Sequence, residues 1–279
     1  MIFTPIFPEQ GGNKSPLKTP LNRPAEHPLY MKQLQKRHIS LFDILRNHFL
    51  FLTRRQIERF LTLPTSSTNR ELSWLASEGY LDRKYYSDTF GHVQTPLYFL
   101  GKLGWQVVGN VSSEYKEYRL GIEQRSGRQL LHTLAVYDVF VKFLSESKVK
   151  RIIDGEDQFW QELLDFGNIP DGWIQFDGGE VFIEVDRDTE WGKVPGTKFD
   201  NYVRFKKSGA YDRVFPGCTF KVLFITTTES RIEALERTIG SDDIWFGTME
   251  DFLKEPLNHA HWFALRGFYV LSAVPKKEV

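Results

Sequence analysis

The stretch Pro170-Asp171-Gly172-Trp173-Ile174-Gln175-Phe176-Asp177-Gly178-Gly179-Glu180-Val181-Phe182-Ile183-Glu184-Val185-Asp186 reads as a β-hairpin with acids at its open end. Asp177-Gly178-Gly179 has the chemistry of a tight turn between paired strands, so the strand 181–186 should pair back on 172–176. Side chains at i and i+2 of a strand share a face. Glu184 and Asp186 therefore lie on one face with Phe182, and Ile183 and Val185 on the other. Asp171, Glu184, Asp186, Asp188 and Glu190 are five of the seven acids that fall within twenty residues. Two readings follow for the carboxylates of the acidic strand. They are hard oxygen donors for a divalent cation, or they pair with Lys198, Arg187 or Arg204 and fix a helix on the sheet.

Toward the carboxyl terminus, 191–197 reads as a loop and 198–207 as a helix. Lys198 and Tyr202 stand four residues apart on one face of that helix. Phe220 to Thr227 is a continuous apolar run, as buried parallel strands are. An amphipathic helix (229–239), a strand (243–248) and a short helix (249–253) follow. Residues 256–279, with Trp262-Phe263 and a basic tail, form a C-terminal extension. Toward the amino terminus, 149–153 reads as a strand and Leu130 to Leu144 as a strongly apolar helix. His132 and Asp138 are its polar exceptions, and a lone histidine there reads as a satisfied residue of the core or its boundary rather than a ligand. The order α-β-β-β-α-β-α-β predicts a mixed-sheet α/β domain over 130–255.

Residues 111–129 are polar and mixed in charge and read as a linker. Before them, 31–110 predicts three helices and a hairpin. A stripe from Leu34 to Leu50 marks the first helix. Thr53 and Gln56 have capping-box spacing ahead of 54–61. Thr65-Ser66-Ser67 cap a third helix that Gly79 stops. Strands 80–86 and 95–100 flank a turn. Three helices and a two-stranded hairpin make an α+β winged helix-turn-helix, a fold that docks its third helix in the major groove of DNA. The expected DNA contacts are Ser66, Ser67, Asn69, Arg70 and Ser73 on that helix, Arg54 and Arg55 before it, and Arg83 and Lys84 on the hairpin. This segment holds eleven basic against six acidic side chains, in a chain whose formal net charge is zero. That local excess is the expected footprint of phosphate binding.

Residues 1–30 carry Pro5, Pro8, Pro16, Pro20, Pro24 and Pro28 and read as an extended or disordered arm. The single Cys218 leaves no intramolecular disulfide and no cysteine-based zinc site. No apolar run is long enough to span a membrane, and no secretory signal is evident. A cytoplasmic location is expected.

The order of the second domain resembles the PD-(D/E)xK nuclease architecture, in which an Asp on one strand and a Glu-x-Lys on the next hold Mg²⁺. Asp171, after Pro170, and Glu184 match the two acids. Asp186 stands where the family has lysine, and Lys198 would serve as a migrated lysine. The resemblance implies a restriction-endonuclease-like fold, Mg²⁺ or Mn²⁺ held by Asp171, Glu184 and Asp186, and catalysis by these acids with Lys198. A narrower resemblance covers both domains. The winged helix, Leu131-His132-Thr133-Leu134, Pro170-Asp171-Gly172, Glu184-Val185-Asp186-Arg187-Asp188-Thr189-Glu190 and Lys198-xxx-Tyr202 look like the replication-relaxation family of plasmid and mobile-element proteins. That resemblance implies a role in replication or relaxation of such DNA. The expected partners are double-stranded DNA, other replication, mobilisation or transposition proteins, and a second copy in a homodimer. Three classes remain open: a DNA binder, a metal-dependent endonuclease targeted by its winged helix, and a transcriptional regulator or adaptor with an inactive nuclease-like domain. A relaxase-type nucleophile at Tyr202 is a further alternative.

Overall fold

In the computed structural model the described residues are 34–87, 94–109, 112–125, 127–155, 160, 167, 169–177, 179–187, 194–237, 243–255, 257, 261–264 and 267–270. The proline-rich arm, the hairpin turn at 88–93, and Asp188 and Glu190 lie outside them.

The first part of the chain runs α1 (Lys36–Asn47), β1 (Leu52–Thr53), α2 (Arg54–Leu61), α3 (Thr65–Ser77), β2 (Leu81–Ser87) and β3 (Gln94–Leu100). Leu41, Phe42 and Leu45 of α1, Ile57 of α2, and Leu72 and Leu75 of α3 are all buried. β1, which the apolar stripe of the first helix concealed, adds to the hairpin, and the sheet order is β1-β3-β2. The third helix starts at Thr65, with Pro64 as its N-cap and no side-chain cap bond. Thr65 instead donates to Glu58, and Thr68 donates to the Pro64 carbonyl. Gly79, at φ 79°, closes α3. The Tyr80 N–H bonds the Leu75 carbonyl and the Gly79 N–H the Ala76 carbonyl, the paired bonds of a left-handed helix stop that glycine adopts without a Cβ clash.

α1 and α3 are tied by a buried acid. Glu71 accepts from Arg37 and lies 3.0 Å from His38 Nε2. Burial pushes its carboxyl up, but these two partners outweigh burial and hold it below the usual carboxylate range.

The helices α4 (Lys102–Val108), α5 (Ser112–Gln124) and α6 (Gly127–Glu146) come next. α5 occupies most of the segment read as a linker. It contributes Tyr118 and Ile122 to the core. The Tyr118 hydroxyl donates to the Leu50 carbonyl at 2.8 Å and accepts the Leu100 N–H at 2.9 Å.

The remaining elements are β4 (Val149–Asp154), β5 (Gly172–Phe176), β6 (Gly179–Val185), α7 (Val194–Lys207), α8 (Ala210–Val214), β7 (Val222–Thr226), α9 (Glu229–Glu236), β8 (Ile244–Thr248), α10 (Met249–Lys254), β9 (His261–Ala264) and β10 (Gly267–Val270). They build one seven-stranded sheet in the order β10-β9-β8-β7-β6-β5-β4. β5 and β6 pair antiparallel as the turn chemistry predicts, and β7 lies parallel between β6 and β8. The sheet is mixed and the chain is α/β. Two further strands at 261–264 and 267–270 extend the sheet beyond the expected domain edge.

Each face of the sheet is covered. Trp173, Phe182, Phe224 and Phe246 cluster with Phe199, Tyr202 and Phe205 of α7, Tyr211 of α8, and Ile232 and Leu235 of α9. On the other face Phe143 of α6 packs on Phe176 and Phe252. Gly172 is required there, because a Cβ would fall 2.2 Å from the Phe140 ring. No helix among the described residues is long and apolar enough to cross a membrane.

The two parts are joined through α6. Gln56 and Thr53 form the expected reciprocal cap. The Gln56 amide also donates to the Leu134 carbonyl at 3.0 Å and to Asp138 at 3.1 Å. Tyr137 of α6 accepts the Leu50 N–H. Gln56→Ala should therefore cost about 2–3 kcal/mol, since it removes a cap bond and strands buried acceptors on α6. Urea unfolding that shows a loss under about 0.5 kcal/mol would refute this.

Candidate functional site

The ladder pair Gly172 with Ile183 sets Asp171 beside the carboxyl end of β6. There its Oδ2 accepts the Val185 N–H at 2.7 Å, and its Oδ1 lies 3.0 Å from His132 Nε2 on α6. Glu184 is 1 % exposed. Its Oε2 accepts from Lys198 Nζ at 2.9 Å and its Oε1 from the Tyr202 hydroxyl at 2.6 Å. Both donors come from α7, whose i, i+4 spacing aims them at one carboxylate.

Burial drives the Glu184 carboxyl up to about 7, with Lys198 pulling it down and neighbouring Asp171 pushing it up. The hydrogen bond to Asp171 raises the His132 imidazole above its ordinary value, against the opposing effect of burial. The site is thus a chain of alternating groups, His132–Asp171 and Glu184–Lys198, closed by Tyr202. A cavity of 190 Å³ opens beside it, with Arg125, Asp154, Pro170 and Ile169 among its walls.

Asp171, Glu184 and Lys198 are brought together. Asp186 shares the Glu184 face, as alternation predicts, but its carboxylate accepts from Arg231 Nε of α9 at 2.8 Å. Among the described residues no three His, Cys, Asp or Glu side chains form a group that could hold a metal ion. Asp171 and Glu184 carry the hard oxygens that Mg²⁺ or Mn²⁺ takes, and Asp186 does not join them. Tyr202 is 3 % exposed and its proton is directed at Glu184. It orients that carboxylate.

His132 was visible as a polar exception on an apolar helix, and its spacing gave no sign of Asp171, which lies 39 residues on. Arg231 carried no local signal, because β7 intervenes between it and Asp186.

A second group of candidates lies on the first part. Ser66, Asn69, Arg70 and Ser73 are exposed along α3, and Ser67 is half-buried. Arg83 and Lys84 are exposed on β2, with the Arg83 guanidinium 5.7 Å from the Tyr85 ring centre. Arg54 pairs with Glu58 one turn on, and Arg55 is exposed.

No curated protein and no solved structure matches this chain. Residues 42–217 match the replication-relaxation family model. That span runs from within α1, through the β2–β3 hairpin and α6, to just past α8, and so holds both the exposed α3 face and the His132–Asp171–Glu184–Lys198 site. The chain belongs to the replication-relaxation family.

Proposed function

We propose that this protein binds double-stranded DNA during replication or relaxation of plasmid-type or mobile-element DNA. In this reading residues 31–110 are a winged helix, and 130–255 are a restriction-endonuclease-like module joined to it through 111–129. The observation that carries the reading is the division of α3. Leu72 and Leu75 are buried, while Ser66, Asn69, Arg70 and Ser73 face outward. An outward face of small, hydrogen-bonding and basic side chains is what a helix needs to enter the major groove. Arg83 and Lys84 add charge on the hairpin for backbone phosphates.

Arg70→Ala should weaken duplex binding by about 1–3 kcal/mol, roughly 5- to 150-fold, because the exposed guanidinium supplies base or phosphate contacts. Fluorescence anisotropy with labelled duplexes measures this. An affinity equal to that of the parent chain would remove α3 from the interface.

A second reading, metal-dependent cleavage of phosphodiesters, is favoured by the meeting of Asp171, Glu184 and Lys198 at the end of β6. Asp171 and Glu184 would hold Mg²⁺ or Mn²⁺, which supplies an activated water and charge neutralisation at phosphorus. Tyr202 orients Glu184. The Lys198 ammonium brings positive charge to the same carboxylate, and His132 fixes Asp171. The position two residues after Glu184, lysine in nucleases of this architecture, is filled by Asp186, and Lys198 from α7 takes over its charge.

A further inference from the structure

A cleft of 790 Å³ runs between α2 and the carboxyl end of α6. Arg54, Arg55 and Arg59 line one side, Ser145 and Glu146 the other, and Thr65 stands at the start of α3. The acids of the cleft are already committed. Glu58 accepts from Arg54 and Thr65. Glu146 accepts from Lys142 at 2.7 Å and from the Leu257 N–H at 2.9 Å.

Arg55 and Arg59 differ from Arg54. Their side chains make no hydrogen bond or salt bridge among the described residues. They act on the Asp138 carboxyl only through their charge, and its bond goes to Gln56. Two guanidinium groups in a cleft whose own carboxylates are bonded to other partners are matched to an external anion, and their fork geometry suits phosphate oxygens. The carboxyl end of α6 opposes them with about half an elementary charge, less than either full cation.

The shape favours a chain of phosphates over a single small anion. The cleft is lined from Arg54 through α2 and the turn after it to Thr65, which belongs both to it and to the start of the exposed α3 face. Its walls are held in place, because Gln56 bonds α2 to α6 at Leu134 and Asp138.

We propose that this cleft is a second DNA contact, a sequence-independent seat for the phosphodiester backbone walled by both modules, with Arg55 and Arg59 as its phosphate ligands. The proposal rests on the duplex-binding reading and adds Arg59 and the α6 wall to it. It predicts a footprint larger than the third helix and hairpin alone would give.

The test is anisotropy of the full chain with labelled duplexes over a salt series, for the parent, R55Q, R55Q/R59Q, S145E and R70A. Each lost phosphate contact lowers the slope of log K against log salt by about 0.9. R55Q should lower it by about 1 and R55Q/R59Q by about 2, weakening unrelated duplex sequences by the same factor, about tenfold or more for the pair. S145E adds a negative charge to the α6 wall without touching α2, and it should weaken binding in the same sequence-independent way. Parental slope and affinity in R55Q and R55Q/R59Q, with R70A still weakened, would overturn the seat and leave duplex binding standing. Parental binding by S145E beside weakened arginine variants would overturn the two-module wall. Failure of the parent chain to bind any duplex would overturn both this proposal and the reading it rests on.

Discussion

On the metal-dependent cleavage reading, the parent chain is expected to nick or cut supercoiled DNA with Mg²⁺ or Mn²⁺ present, and Glu184→Ala to reduce the cutting to background while duplex binding persists. The size of the effect follows from the position of Glu184. It is a fully buried carboxylate opposite Asp171, and both of its oxygens are engaged, by Lys198 and by Tyr202. Alanine removes one of two hard-oxygen donors, and no third carboxylate stands in reserve, because Asp186 is held by Arg231. Tyr202→Phe leaves the donor but loses its orienting bond, so it should cost about 10- to 100-fold. Protons compete with the metal for Glu184, whose carboxyl burial raises to about 7 in the metal-free chain, so activity should fall as the pH drops below that range. Chelation of the metal should abolish it. Gel analysis of supercoiled and linear DNA reads all of these outcomes. If the parent chain cuts neither topology with either metal, or if Glu184→Ala cuts normally, the nuclease reading is wrong and the carboxylates are scaffold. Circular dichroism separates a chemical loss from unfolding, since stranding the Tyr202 hydroxyl costs about 1–3 kcal/mol.

Phe182→Ala should be among the most destabilising single substitutions in the second part of the chain, at about 3–5 kcal/mol. Phe182 is 1 % exposed. Its ring centre lies within 6.4 Å of those of Trp160, Tyr202, Phe205, Tyr211, Phe215 and Phe220. Truncation opens a cavity bounded by rings from α7, α8 and the loop before β7, and rigid aromatic neighbours collapse poorly into such a space. The same substitution loosens the seat of α7, which carries Lys198 and Tyr202, so cleavage should fall with stability. Denaturant unfolding that shows a loss below about 1.5 kcal/mol would mean that this cluster repacks freely.

The sequence by itself determined whatever depends on near neighbours. Alternation along 181–186 was enough to put Phe182, Glu184 and Asp186 on one face, and the Asp177-Gly178-Gly179 turn was enough to pair β5 with β6. The Thr53–Gln56 cap, the Gly79 stop and the Lys198–Tyr202 pair were legible for the same reason: each is set by backbone geometry within a few residues. The apolar run at 222–226 announced a buried strand. β1 escaped notice, because two residues of strand at the end of a helical stripe have no period of their own. The start of α3 was misplaced because Thr65 and Thr68 spend their hydroxyls on Glu58 and the Pro64 carbonyl, and Pro64 caps the helix by backbone conformation alone.

Tertiary structure decided the partners of each charge. The sequence offered Lys198, Arg187 and Arg204 to Glu184 and Asp186 alike, and the packing of α7 and α9 gave Lys198 to Glu184 and the distant Arg231 to Asp186. The closing of α6 over the open end of β5 brought His132 to Asp171. The bonds from Gln56 to Leu134 and Asp138 joined the two parts of the chain and formed the arginine cleft between them. Those contacts span up to 82 residues of sequence, and a side chain that far away leaves no mark on local periodicity.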